Sequence, residues 1–215
     1  MIVTKIERQK RNSHRVNLFI DGEFAFGIHD EVLLRSGIRK GDRLSEESLR
    51  KIRESEELSL ARNRALKFLA ARLRTEAEVR ADLIEKEFHP ETADRVVLEF
   101  RELRLLDDER YARAFVHDAR MRRALGRILL RHEMLRKGVP QSIVQEVLAV
   151  SALPEEEEAV AFKAASKLLV RYRTSRKSLP PKRQASGTAQ FLARRGFDWQ
   201  TIAAVMKRLF REEES

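Results

Sequence analysis

The spacing of apolar residues changes once along this chain. Over residues 1–28 they alternate. Ile2, Thr4 and Ile6 take turns with Val3 and Lys5, a second run carries Val16, Leu18 and Ile20, and a third covers 23–28. Period two is the signature of strands with one buried face. Asp21-Gly22 separates the second run from the third, and both central residues of a type I′ hairpin turn need positive φ, which suits this pair. Asp30 then reads as the cap of a short helix through Val32, Leu33 and Leu34, ending at Gly37. Gly41 closes a turn and Ser45 opens the next helix. From there on the apolar period is helical and no strand pattern recurs.

The helical remainder repeats. Aligning Glu87, Gly138 and Gly196 places Leu83, Met134 and Leu192 four residues before them and Phe88, Val139 and Phe197 one after. Val96, Val147 and Val205 follow at nine, and Val97, Leu148 and Met206 at ten. A glycine, then an apolar residue, then a new periodic run marks a C-terminal helix cap followed by a helix start. The third unit is longer, with an insertion placed at 175–187 around Pro180-Pro181. The predicted helices are 56–73, 76–87 and 91–104; 108–122, 127–137 and 141–150; and 155–173, 187–195 and 198–212. Thr75 with Glu78 forms a capping box at the head of 76–87. Each three-helix unit has little apparent core of its own, so stacking is expected to bury the apolar faces. The expected fold is mainly α: three tandem three-helix repeats in an elongated curved arrangement, preceded by a small N-terminal β-hairpin-containing domain. The boundaries are 1–44 for the β-rich domain, 45–104 for repeat 1 with a lead-in helix, 105–153 for repeat 2 and 154–215 for repeat 3.

The run Leu105-Leu106-Asp107-Asp108 joins the first two repeats. An aspartate before a helix accepts hydrogen bonds from first-turn N–H groups and favours the positive dipole end, so Asp107 or Asp108 is read as an N-cap. A catalytic or metal-binding role for the pair finds no further ligands in the chain.

Charge sharpens the picture. The 215 residues carry a formal net charge of +10, with 36% charged and 42% hydrophobic residues, which points to an anionic partner. Acids are absent from 62–75, 119–132 and 159–197, and bases recur around the first-to-second helix connection of each unit. One such run is an ordinary solvated face, whereas three at the same place in a repeat suggest an extended basic ridge for a long anionic ligand. Arg72, Arg74, Arg120, Arg123, Arg127, Arg171, Arg173, Arg194 and Arg195 are the candidate contact residues, some of them expected in intramolecular pairs. Arginine suits the task because its planar fork can grip phosphate or carboxylate bidentately.

Enzyme signatures are missing. With no cysteine, disulfides and thiolate metal sites are excluded. His132-Glu133 opens like a zinc-protease helix, but Arg136 stands where the second histidine is needed. His14, His29, His89 and His117 are scattered. There is no glycine-rich phosphate loop and no Gly-x-Ser-x-Gly elbow. Tyr111, Tyr172 and Trp199 could stack on bases, although helical spacing favours a core position, and Trp199 near Ile202 is assigned to the core. No apolar run reaches the roughly 18–20 residues of a membrane span, and the first thirty residues do not resemble a signal peptide. The expectation is a cytoplasmic, non-enzymatic protein without cofactor or metal.

Several of these residues resemble the signature of the RecX family, bacterial modulators of the RecA recombinase. They are Leu105-Leu106-Asp107-Asp108-x-x-Tyr111-Ala112, Gly126 leading to Glu133, and Lys137-Gly138-Val139. Arg72-Leu73-Arg74-Thr75-Glu76-x-Glu78 is similar to the family's first-unit pattern and Arg194-Arg195-Gly196-Phe197 to its third. Ile2–Ile6, 15–19 and 21–26 resemble the β extension of some members. Glu87 departs from a frequent glycine, and Arg127 stands where proline often follows Gly126. The resemblance implies a regulator of homologous recombination and the SOS response. Its partner would be the RecA–single-stranded-DNA filament, bound along the groove by a monomer, with ATPase and strand exchange suppressed or disassembly promoted. Single-stranded DNA would be met directly or through the filament, and no membrane is involved. The competing reading is a stand-alone nucleic-acid-binding protein using helix-turn-helix-like units.

Overall fold

The computed structural model describes residues 1–151, 153–174 and 180–211. Part of the expected third-unit insertion (175–179, with Arg176 and Lys177) and the end of the last expected helix at 212 lie outside the described residues.

Three antiparallel strands, β1 (Val3–Gln9), β2 (Asn12–Ile20) and β3 (Glu23–His29), form a sheet in the order β1-β2-β3. Asp21 and Gly22 have φ of 51° and 93°, the two positive values a type I′ turn requires. One face of the sheet buries Val3, Val16, Leu18 and Ile28 against Val32 of α1 (Asp30–Ser36) and Leu49 and Ile52 of α2 (Glu46–Ala71). The cap of α1 is His29 rather than Asp30, because β3 stays extended to His29 (φ −68°, ψ 142°). Asp30 is instead the first helical residue, and its carboxylate accepts the Glu31 N–H at 2.9 Å. Gly37 ends α1 with φ of 66°.

Ser45 caps α2, accepting the Ser48 N–H at 3.1 Å. The lead-in helix and the first repeat helix are one uninterrupted helix of 26 residues. Nothing in 46–71 breaks it, since that stretch holds neither glycine nor proline.

The later helices are α3 (Glu76–Glu85), α4 (Pro90–Glu102), α5 (Asp108–Arg123), α6 (Arg127–Arg136), α7 (Gln141–Ser151), α8 (Pro154–Thr174), α9 (Pro181–Arg194) and α10 (Trp199–Arg211). Their repeat is visible atom by atom. Glu87, Gly138 and Gly196 all adopt left-handed φ, at 64°, 81° and 81°. The N–H of the next residue donates back to the anchor carbonyl in each case: Phe88 to Leu83 at 3.2 Å, Val139 to Met134 at 3.1 Å, and Phe197 to Leu192 at 3.3 Å. That six-residue closure is the Schellman motif. All three anchors are fully buried, as are Val96, Val147 and Val205.

Two further expectations are corrected. Helix α9 starts at Pro181, six residues before the expected 187. Proline is favoured in the first turn because its missing N–H is an orphan position there. The polar stretch after it is a largely exposed part of the helix, not an insertion loop. The units also hold more core of their own than their sequences suggest. One cluster joins Tyr111, Val116, Leu130, Met134, Val144 and Leu148 of α5–α7, and another joins Ala161, Leu192, Phe197, Ile202 and Val205 of the last triplet.

The chain divides into two compact units, one of Met1–Leu73 with Val79–Leu105 and one of Arg74–Glu78 with the chain from Leu106 on. Among the described residues no helix is long and apolar enough to cross a membrane.

Candidate functional site

The nine candidate arginines fall into different environments. Arg120, near the end of α5, keeps only 10% of its side chain exposed and binds two carboxylates of α8, Glu156 at 3.2 Å and Glu157 at 2.9 Å. Arg123 forms a bidentate pair with Glu133 of α6, at 3.2 and 2.9 Å, and lies over the Phe115 ring. Arg195 stacks its guanidinium 4.6 Å from the centroid of Phe191. Arg72 donates to the Leu73 carbonyl at 3.0 Å, and Arg74 and Arg173 also make contacts within the chain. Arg127, Arg171 and Arg194 remain: each is exposed, and among the described residues none of these side chains has a hydrogen-bond or ion-pair partner.

Backbone contacts decide which of these come together. The first turn of α6 meets the end of α9: the Gly126 N–H donates to the Arg195 carbonyl at 2.8 Å and the Ile128 N–H to the Gly196 carbonyl at 3.0 Å. Arg127, Arg194 and Arg195 therefore gather at one joint. A Cβ on Gly126 would run into the Gly196 backbone, so this approach needs glycine even though its φ of −83° is ordinary. An equivalent joint joins the end of α6 to residues 75–78. There the Thr75 hydroxyl donates to the Lys137 carbonyl at 2.7 Å, Lys137 reaches Glu78 at 2.7 Å, and Gly138 touches the Ala77 methyl. Arg72, Arg74, Arg171 and Arg173 are not brought to the α6–α9 joint by any of these bonds.

Buried carboxylates organise both joints. Glu157 accepts the Arg127 N–H at 2.5 Å and Asp108 accepts the Glu76 N–H at 2.9 Å. Residues 76 and 127 are repeat equivalents, each the first residue of a middle helix whose orphan N–H needs an acceptor. A carboxylate from the next repeat supplies it and meets the positive end of the helix dipole. Burial pushes both acids above the usual carboxylate range, with the backbone hydrogen bonds (and Arg120, for Glu157) acting in the opposite direction. The two aspartates of the linker thus divide the work. Asp107 caps its own helix α5, accepting the Arg110 N–H at 2.8 Å, and Asp108 caps α3. The capping box at Thr75 is also present, with the Glu78 N–H donating to Oγ1 at 3.0 Å.

Two outcomes differ from the sequence reading or were missed by it. Trp199 is 77% exposed rather than core. It opens α10 roughly a quarter-turn from the centre of the buried stripe through Ile202 and Val205, and it precedes any turn that could cover it. The cross-repeat role of Glu157 was not anticipated. Its only local signal is a carboxylate within the acidic first turn of α8, among Glu155 and Glu156.

Known proteins place this architecture. The model of the regulatory protein RecX N-terminal domain matches residues 1–45, that of the RecX first three-helix domain residues 61–100, and that of the second residues 107–148. Regulatory protein RecX of Clostridium acetobutylicum is 32% identical over 212 residues, covering 98% of this chain and 97% of that protein. The Bacillus subtilis protein of the same name is 30% identical over 213 residues, covering 99% and 78%. A crystal structure of regulatory protein RecX superposes with a TM-score of 0.74 at 28% identity, over 95% of this chain and 98% of the other. RecX from Lactobacillus salivarius shares the fold, with a TM-score of 0.64 at 22% identity over 72% and 97%. With relatives matched over nearly its whole length and all three domain models in order, the chain belongs to the RecX family of regulatory proteins.

Proposed function

We propose that the protein regulates homologous recombination and the SOS response by binding along the groove of the RecA–single-stranded-DNA filament. Binding would inhibit ATP hydrolysis and strand exchange or promote disassembly. In this reading it is a cytoplasmic monomer that acts by binding rather than catalysis, built as a β-rich domain (1–44) and three repeats (45–104, 105–153, 154–215). The observation that carries the reading is the set of exposed guanidinium groups at Arg127, Arg171 and Arg194, without internal partners among the described residues, in a chain with net charge +10. Such groups remain available to phosphate or carboxylate. Arg72, Arg74, Arg173 and Arg195 are secondary contacts, while Arg120 and Arg123 hold the scaffold.

The test is filament affinity of Arg127→Gln, Arg171→Gln and Arg194→Gln, singly and together, at several salt concentrations. The triple variant should bind more weakly. Removing one arginine–phosphate pairing should flatten the logarithmic salt slope by about 0.7. If the triple variant binds as the unaltered protein does, the exposed arginines are only a solvated face. The three-helix units also support a second reading, direct nucleic-acid binding, which predicts equal affinity for bare and recombinase-coated single strands.

A further inference from the structure

The first unit holds a recess of about 530 Å3 formed by α1, the chain after it, α2 and Arg95 of α4. This volume lies within the range of about 300–1,000 Å3 that ligand clefts occupy. Its floor is aliphatic: Val32, Ile38, Ile52 and Leu58 are buried there. Its rim is cationic, carrying Arg35, Lys51, Arg62 and Arg95 against a single carboxylate, Glu31, which is already paired with Arg35 at 2.9 Å. Lys51 and Arg62 have their own partners in Glu47 and Glu99. Arg95 is exposed and, among the described residues, its guanidinium has no hydrogen bond or ion pair. Among the described residues the Ser59 hydroxyl, which also lines the recess, has no hydrogen-bond partner either.

We propose that this recess docks an acidic peptide segment of a protein partner, one aliphatic side chain entering the floor and flanking carboxylates meeting the rim. Arg95, the rim cation without an ion pair among the described residues, selects an anion. The floor selects an apolar group attached to it, which a free phosphate or a bare sugar–phosphate backbone lacks. Among the described residues no aromatic ring lines the recess, so a nucleic-acid base would find no stacking surface there, and stacking is what holds unpaired bases on proteins. A leucine or isoleucine between aspartates and glutamates meets both requirements. This inference does not depend on the filament reading.

The experiment uses the full chain and a fluorescein-labelled peptide, acetyl-Glu-Asp-Leu-Asp-Glu-amide, followed by fluorescence anisotropy without recombinase or DNA, so its outcome is separate from that of the filament assay. The peptide should bind and should weaken as salt rises from about 50 to about 500 mM. Arg35→Gln with Arg95→Gln should lower the affinity about tenfold or more. Both side chains are exposed and removing them breaks only the surface pair to Glu31, so the variant should melt as the unaltered protein does. Replacing the peptide leucine by serine should also weaken binding. Absence of binding at about 1 mM peptide overturns the proposal, as does unchanged affinity in the double variant or equal binding of the serine peptide. Displacement of the peptide by oligodeoxythymidine at equal concentration would assign the recess to nucleic acid instead.

Discussion

Replacing Arg120 by alanine separates a scaffold arginine from a contact arginine. The guanidinium is 10% exposed and its main partner, the Glu157 carboxylate, 3%. Removing one member of a buried pair costs about 3–5 kcal/mol, because the other charge is left without compensation. Two features moderate that figure here. Glu157 keeps the Arg127 N–H, and burial already raises its pKa, so taking up a proton relieves part of the penalty. A loss of about 2–4 kcal/mol is therefore expected. Arg127→Ala, by contrast, keeps the backbone N–H and removes only an exposed side chain, so its stability should stay within about 0.5 kcal/mol. Urea unfolding near pH 7 measures both. Adding Glu157→Gln to Arg120→Ala removes the stranded charge while the amide oxygen still accepts the Arg127 N–H, and should recover at least about 1 kcal/mol. If Arg120→Ala unfolds with the unaltered protein while filament affinity collapses, Arg120 belongs to the binding surface and the reasoning fails.

Three further outcomes follow from the joints and caps. Burial places the Asp108 pKa above its ordinary 3.8, so the native state holds this proton more tightly than the unfolded chain. The stabilisation it brings is fully present below about pH 3.8 and is lost as pH rises through the folded value. Asp108→Asn keeps an acceptor for the Glu76 N–H but has no proton to lose. It should therefore gain stability relative to the unaltered protein as pH rises from about 4 to 7, and parallel urea midpoints across that range would refute this. Glu87→Gly should stabilise by about 0.5–1 kcal/mol, since a side chain at φ of 64° carries a left-handed penalty that glycine avoids; a lower melting temperature would count against it. Gly126→Ala should destabilise by about 1–3 kcal/mol through overpacking against the Gly196 backbone, and an unchanged melting temperature would show that the α6–α9 contact yields freely.

Much of the fold was legible because helix ends are written locally. Leu83, Met134 and Leu192, with the left-handed residue four positions on, encode each Schellman closure within six residues, so the repeat could be aligned even though Glu87 replaces glycine. Asp21-Gly22 encoded its turn in the same way. Features that depend on other parts of the chain were not legible. Trp199 has the spacing of a core residue, but its position at the first turn of α10 leaves it uncovered. Asp107 and Asp108 look alike in sequence, yet one caps its own helix and the other caps a helix more than thirty residues earlier. Within the last two triplets, cores such as Val116–Leu130–Val144 draw on three helices and are invisible to the periodicity of any one of them.

The candidate site shows the same division more sharply. Acid-free stretches read as a basic ridge with some arginines in intramolecular pairs, but which arginines pair is decided by partners from other segments. Arg120 lies within the acid-free residues 119–132, and the two carboxylates that hold it come from α8. Arg123 in the same stretch is held by Glu133, the first acid beyond it. Local charge counting therefore overstates the free positive surface wherever helices of neighbouring units cross. Arg127 escapes for a reason rooted in the fold. Glu157 engages the main-chain N–H of Arg127, which every residue except proline possesses, and directs its charge toward Arg120. The side chain of Arg127 is thereby left exposed. A proline at position 127 would change the joint as well as the surface: it has no N–H for Glu157 to bind and would add no outward charge.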